Sequence, residues 1–270
     1  MRNRNRLRIF LLTLSLAFLG VVAISSLLLK PEKCEVENIV PQKQIHSEFN
    51  YEKDKIYGID VSHYQSLIDW QYLAQNENIT FVYVRATMGS EGRDELTAQN
   101  VEQATENGFL VGLYHFFYLD EDVTTQFQNF ENVYSSMETS LNPVLDVEPK
   151  KVKKRGRWRE QKPPKGLCDS VAKFIDLFHE KHPNSDMVLY SAQTFFNNFL
   201  LKRFPMSIKW IANYSREPEM KNDLFYHIWQ FTDSGNLCGI KARVDMNVLV
   251  RQDALSILKK RKEPNLQLQP

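Results

Sequence analysis

The feature that most constrains this chain is an alternation of short β-branched runs with amphipathic helical stretches, sustained from residue 56 to residue 260. Runs rich in Val, Ile and aromatic residues predict strands over 56–62, 79–86, 109–117, 142–148, 187–191, 207–214, 226–231 and 244–250. Helical spacing occupies 67–75, 94–107, 123–137, 167–181, 194–203 and 253–260; the fourth of these carries Val171, Phe174, Ile175 and Phe178 on one stripe. No clear helix separates the sixth and seventh strands. Strand and helix in alternation build parallel βαβ units. Eight strands in about 205 residues fit an irregular, TIM-like (β/α) barrel of the α/β class, with some helices degenerate. An open doubly wound sheet is the alternative, but no glycine-rich phosphate loop follows the first strand and G-x-G-x-x-G is absent.

A barrel of this kind gathers the C-terminal ends of its strands at one mouth, where chemistry takes place. The fourth run, Asn-Pro-Val-Leu-Asp-Val-Glu-Pro over 142–149, ends in Asp146 and Glu148. Residues i and i+2 of a strand share a face, so the two acids project side by side and raise each other's pKa. Such a pair opposes folding and serves acid/base work. The bland alternative is two exposed acids on an edge strand or turn. The other strands supply Asp60 at the end of the first, Tyr190 and Tyr214 on the fifth and sixth, Trp229 and Gln230 on the seventh, and Asp245 at the start of the eighth. Tyr114 and His115 lie within the third. Acids and aromatics at one rim suit a carbohydrate, since ring faces stack on sugars and acids protonate a glycosidic oxygen. Tyr114, Tyr190, Trp210, Tyr214 and Trp229 read either as stacking faces or as barrel filling. His63 and His115 read as packed histidines, and Asp69, Asp94 and Asp169 as helix caps.

Charge and hydropathy divide the rest. Arg2, Arg4, Arg6 and Arg8 precede a run of 21 uncharged residues over 9–29, closed by Lys30. That length spans a bilayer, and arginines on its N-terminal side place that end in the cytoplasm. An uncleaved inner-membrane anchor is the favoured reading, and a signal cleaved after Ala23 the alternative. The divisions expected are 1–30 basic end and anchor, 31–54 linker, 55–262 barrel and 263–270 tail, with the barrel in the cell envelope outside the cytoplasm. Residues 150–165 hold nine Lys or Arg and one acid, Glu160. They read as a solvated loop or as a flap over the cleft that attracts carboxylates. The formal net charge of +1 points to no polyanion, and no nucleic-acid partner is expected. The spacings of Cys34, Cys168 and Cys238 match no zinc pattern; an oxidising compartment allows a Cys168–Cys238 bridge, two buried or free thiols is the favoured reading, and neither metal nor cofactor is expected.

An ordered series of motifs carries a resemblance: Gly58-Ile59-Asp60-Val61-Ser62-x-x-Gln65, Phe81 through Gly89, Tyr114-His115-Phe116, Leu145-Asp146-Val147-Glu148, Trp210-Ile211-Ala212-x-Tyr214, Trp229-Gln230 and Val244-Asp245-x-Asn247. Together they resemble the family 25 glycoside hydrolases, lysozymes of the fungal and phage muramidase type. The resemblance implies cleavage of the β-1,4 bond after N-acetylmuramic acid in peptidoglycan. It implies Glu148 as general acid, Asp146 polarising the substrate's own acetamido group, and Asp60 and Asp245 as acids of the mouth. Met88 departs from the family pattern, which commonly has an acid there, and the basic segment is a second departure.

Overall fold

The computed structural model describes residues 49–251 and 253–261. The expected anchor over 9–29, most of the linker and the tail lie outside them. Among the described residues no helix is long and apolar enough to cross a membrane. Phe49 and Tyr51, assigned above to the linker, pack on Tyr57 with ring centroids 5.4 and 5.1 Å away, so the folded domain begins before residue 55.

Among the described residues eleven strands form, in chain order β1 (Tyr57–Val61), β2 (Ile79–Met88), β3 (Gly92–Arg93), β4 (Leu110–Phe116), β5 (Val144–Asp146), β6 (Lys151–Lys154), β7 (Arg157–Glu160), β8 (Val188–Ala192), β9 (Ile208–Ala212), β10 (Ile228–Gly235) and β11 (Val244–Leu249). Helices α1 (Trp70–Asn76), α2 (Thr97–Glu106), α3 (Val123–Tyr134) and α4 (Leu167–Lys181) fall where the periodicity placed them. A short α5 (Gln193–Phe195) runs into a wide turn, and α6 (Ala254–Leu258) closes the described chain. A single three-residue turn, Lys221–Asp223, stands between β9 and β10, as the missing helical signal there predicts.

Eight strands close on themselves in the order β1-β11-β10-β9-β8-β5-β4-β2, with β1 also paired to β2. The joints β1–β2, β2–β4, β4–β5, β5–β8, β8–β9 and β9–β10 are parallel. The last strand corrects the expectation of parallel units throughout, because β11 runs antiparallel to both β10 and β1. Its connection explains why. The loop between Gly235 and Val244 is shorter than the dozen or so residues a parallel crossover needs, so the chain turns back as a hairpin. The basic segment is also more ordered than a solvated loop: β6 and β7 form a separate two-stranded hairpin.

Two apolar layers follow from the two-residue period. Val82, Val84, Leu113, Leu145, Leu189 and Ile211 face outward onto the helices, among Phe130, Phe174 and Phe178. Phe81, Tyr83, Val144, Val188, Trp210 and Ile228 fill the barrel, with Ala254 and Leu258 of α6 against them. Large aromatics fit inside because glycine stands opposite them. Tyr83 pairs in register with Gly112, where a Cβ would lie 2.3 Å from the Tyr83 ring and 3.0 Å from Leu141. A Gly112→Ala variant is therefore expected to lose about 1–3 kcal/mol from overpacking. At roughly 2–4 °C per kcal/mol for a domain of this size, thermal unfolding should reveal it, and an unchanged Tm would contradict this packing.

Candidate active site

Four carboxylates reach the barrel mouth by three routes. Asp60 lies next to the end of β1 and is in register with Asp245 of β11. Because β11 runs antiparallel, its first residues stand at the same end as the last residues of β1. Asp146 ends β5. Pairing continues one residue further, with Val147 N–H donating to the Tyr190 carbonyl at 3.0 Å and its side chain buried in the outer layer. Alternation then returns Glu148 to the side of Asp146. All four acids line one cleft of about 200 Å³, together with Tyr114, Tyr190, Trp210 and Arg85.

A directed hydrogen-bond network holds Asp60. Its Oδ2 accepts from Gln230 Nε2 at 2.9 Å and from Asn247 Nδ2 at 2.8 Å. Gln230 Oε1 accepts in turn from the hydroxyls of Tyr190 and Tyr214, both at 2.7 Å. Asn247 Oδ1 accepts from the Trp210 indole at 2.8 Å. Each amide therefore presents its donor end to Asp60 and its acceptor end to aromatic donors. The residues are positioned by period two, since Gln230 and Asn247 are register partners on β10 and β11.

Burial governs the titration of this cluster. Asp60 is pushed up by desolvation, against the opposing pull of Asn247, Gln230 and Asp245. Asp245 rises to about 9, first through burial and then through the charge of Asp60. Asp146 rises well above the carboxylate range through burial, then through repulsion from Glu148 and Asp60. Glu148 also rises, mainly through burial, while Lys151 pulls it down. Asp146 Oδ1 is buried and has no hydrogen-bond partner among the described residues. Such an atom costs on the order of 1–3 kcal/mol unless something donates to it. The same carboxylates push the hydroxyls of half-buried Tyr114 and buried Tyr190 upward after desolvation, keeping both as donors.

Arg85 is a site residue whose sequence signal is a charge within an otherwise apolar strand. It lies at the cleft, with Nε and Nη2 on Asp94 Oδ2 at 3.0 and 2.9 Å. His63 joins them, its Nδ1 2.8 Å from Arg85 Nη2. Asp94 thus corrects the capping expectation. It does accept from Leu96 N–H at 3.1 Å, but its other oxygen secures a buried guanidinium. Asp69 caps α1 as expected, whereas Asp169 lies inside the first turn of α4. Arg85→Met should leave Asp94 buried without its guanidinium and cost about 3–5 kcal/mol. Chemical denaturation checks this, and a loss below 1 kcal/mol or so would show the pair to be dispensable.

The remaining expected residues divide. Trp210, Tyr114 and Tyr190 line the cleft, and Tyr214 stands half-exposed at its edge on Gln230. Trp229 does not join them. Its neighbour Gln230 points inward, so Trp229 points outward, where its indole donates to Asn213 O at 2.8 Å and packs on Phe231. His115 is buried between Thr87 and Gln126 and stacks on Phe174, away from the cleft. Met88 ends β2 half-buried. Cys168 is a free thiol, its Sγ 3.0 Å from Phe199 O. Asn247 is a site residue without a sequence signal of its own beyond its spacing of two from Asp245, which places both on one face.

Comparison with known proteins decides the family. A family model described as "Glycosyl hydrolases family 25" matches residues 59–240, which takes in three of the four acids and stops short of Asp245. The chain belongs to glycosyl hydrolase family 25. It is therefore a glycoside hydrolase. This family 25 enzyme is 30% identical over 197 residues to protein YegX of Escherichia coli O157:H7, covering 72% of this chain and 69% of that one. It is 24% identical over 209 residues to Lysozyme M1 of Streptomyces globisporus, covering 71% and 67% of the two chains. The structure of a family 25 glycosyl hydrolase from Bacillus anthracis superposes with a TM-score of 0.66 at 26% identity, covering 77% of this chain and 95% of that one.

Proposed function

We propose that this enzyme hydrolyses the β-1,4 bond between N-acetylmuramic acid and N-acetylglucosamine in peptidoglycan, with Glu148 as general acid. The observation that carries the reading is the pairing of two unlike carboxylates in one cleft. Glu148 is the more open of the pair, and its pKa is raised, which keeps a transferable proton available closer to neutral pH. Asp146 is deeper, and its unpartnered Oδ1 suits an N–H donor such as a substrate acetamido group. An acetamido group so held turns its carbonyl oxygen toward the anomeric carbon and acts as the internal nucleophile. The negative charge of Asp60 raises the proton affinity of both Asp146 and Glu148, and that of Asp245 adds to it at Asp146. Tyr114, Tyr190, Trp210, Tyr214 and Gln230 offer ring faces and donors for sugar hydroxyls. Trp229, facing outward, is a candidate for wall contact outside the cleft. The similarity to Lysozyme M1 supports the substrate class.

A peptidoglycan substrate places the barrel outside the cytoplasm. The arginines before the uncharged run support an inner-membrane anchor that holds it there. Incubating the full chain with purified cell walls and, separately, with chitin oligomers tests the substrate. Soluble muropeptides released from walls are the expected result. Products from chitin oligomers alone would move the activity to other N-acetylated glycans, and binding without products would make the protein a wall-binding relative.

A further inference from the structure

The β6–β7 hairpin is built against the usual rules of sheet stability. A lone two-stranded ribbon is marginal in water, and this one has no apolar face to bury. Cross-strand pairing puts Lys151 opposite Glu160, Lys153 opposite Trp158, Val152 opposite Arg159 and Lys154 opposite Arg157. The last pair sets like charges face to face, which opposes pairing. Its two-residue turn places Arg155 and Gly156 at φ of 50° and 76°, so an arginine occupies a backbone conformation that favours glycine. Every residue of β7 is exposed, Trp158 to 69%. Local choices that conflict with stability in this way mark a segment shaped by something it meets.

Position shows what that is. The hairpin begins three residues after Glu148, and its root is latched by Lys150 Nζ on Asp120 Oδ2 at 2.6 Å. A groove of about 450 Å³ runs beneath this root, and Phe116 and Glu148 line both it and the catalytic cleft. A polymer lying across the acids therefore continues past Lys150 and Lys151. The mouth is lined by four carboxyl groups, whereas the hairpin next to them concentrates cations. A lipid surface fits the ribbon poorly, since Trp158 and Val152 sit on opposite faces and make no apolar side to insert.

We propose that the β6–β7 hairpin is a docking arm for peptidoglycan, its lysines and arginines taking the carboxylates of the peptide stems and holding the strand in the groove beside Glu148. This rests on the peptidoglycan reading above. Lys153, Lys154, Arg157 and Arg159 are exposed, so replacing all four by Gln leaves the barrel intact. The test uses the full chain carrying Glu148→Gln, so that walls stay whole, with and without the four replacements. Pelleting with purified walls at about 0.05 M NaCl should show binding at least about tenfold weaker for the charge-neutralised protein, a difference that closes near 0.5 M. Walls whose stem carboxylates have been amidated should bind both proteins equally weakly. Equal binding of the two proteins to native walls overturns the proposal. So does a difference that survives amidation, or one that appears on phosphatidylglycerol vesicles and not on walls. Cleavage by the otherwise wild-type chain, measured in parallel, reports separately on the peptidoglycan reading: absence of products contradicts that reading whatever the arm binds, and products with unchanged binding contradict the arm alone.

Discussion

Glu148→Gln is expected to slow wall cleavage by about 10²–10⁴-fold while leaving wall binding in place, because the amide keeps the shape and loses the proton. The folded protein should not suffer, since a carboxylate disfavoured by its surroundings gives way to a neutral group. Activity in the wild-type enzyme should fall as pH rises through the raised pKa of Glu148, where the acid loses its proton. The position of that limb has a local control. Lys151 lowers the Glu148 pKa, so Lys151→Met should move the limb to higher pH, and a pH–kcat profile of the two proteins reads the displacement directly. A limb that stays in place would separate Lys151 from the acid. Full cleavage by Glu148→Gln would remove the acid from its assigned role.

Asp146→Asn should lose activity by about 10²-fold or more and yet melt at higher temperature at pH 7. The pKa of Asp146 is higher in the folded chain than the ordinary value of about 3.9 in the unfolded one. Between those two values the native state binds more protons than the unfolded state, so stability falls as pH rises through that window. At pH 7 the wild type bears that loss, and the amide does not. A gain of about 1 kcal/mol corresponds to roughly 2–4 °C for a domain of this size. Below pH 4 or so, where the carboxyl is protonated in both states, the gain should vanish. An Asp146→Asn variant that is fully active, or one that melts below the wild type at pH 7, would contradict the burial and repulsion assigned to this carboxylate.

These two residues were also the most legible in the sequence. Asp146 and Glu148 follow an apolar run at a spacing of two, and that spacing survives in the structure although the strand itself ends at Asp146. Asp60 needed only the idea that a barrel gathers strand ends. Asp245 was placed at the mouth although parallel units were expected throughout, and it reaches the mouth because β11 is antiparallel. The short loop before it carried that information. Trp229 fails by parity, since a strand cannot turn both Trp229 and Gln230 inward. Arg85 and Asn247 were visible as polar residues inside apolar strands, yet their meaning depends on Asp94 and Trp210, which are distant in sequence and adjacent in space. The hairpin was hidden for another reason. Its charge content argues for solvation, and of its four cross-strand pairs only Lys151 with Glu160 is one a sequence reading would seek.

The most direct test of the central claim identifies the sugar at each newly formed reducing end. Walls digested by the full chain are reduced with borohydride, hydrolysed and analysed by mass spectrometry, beside walls treated with the Glu148→Gln protein. Muramitol formed by the wild type and absent from the variant is the result predicted here; glucosaminitol at the new ends, or equal muramitol from both proteins, would contradict it.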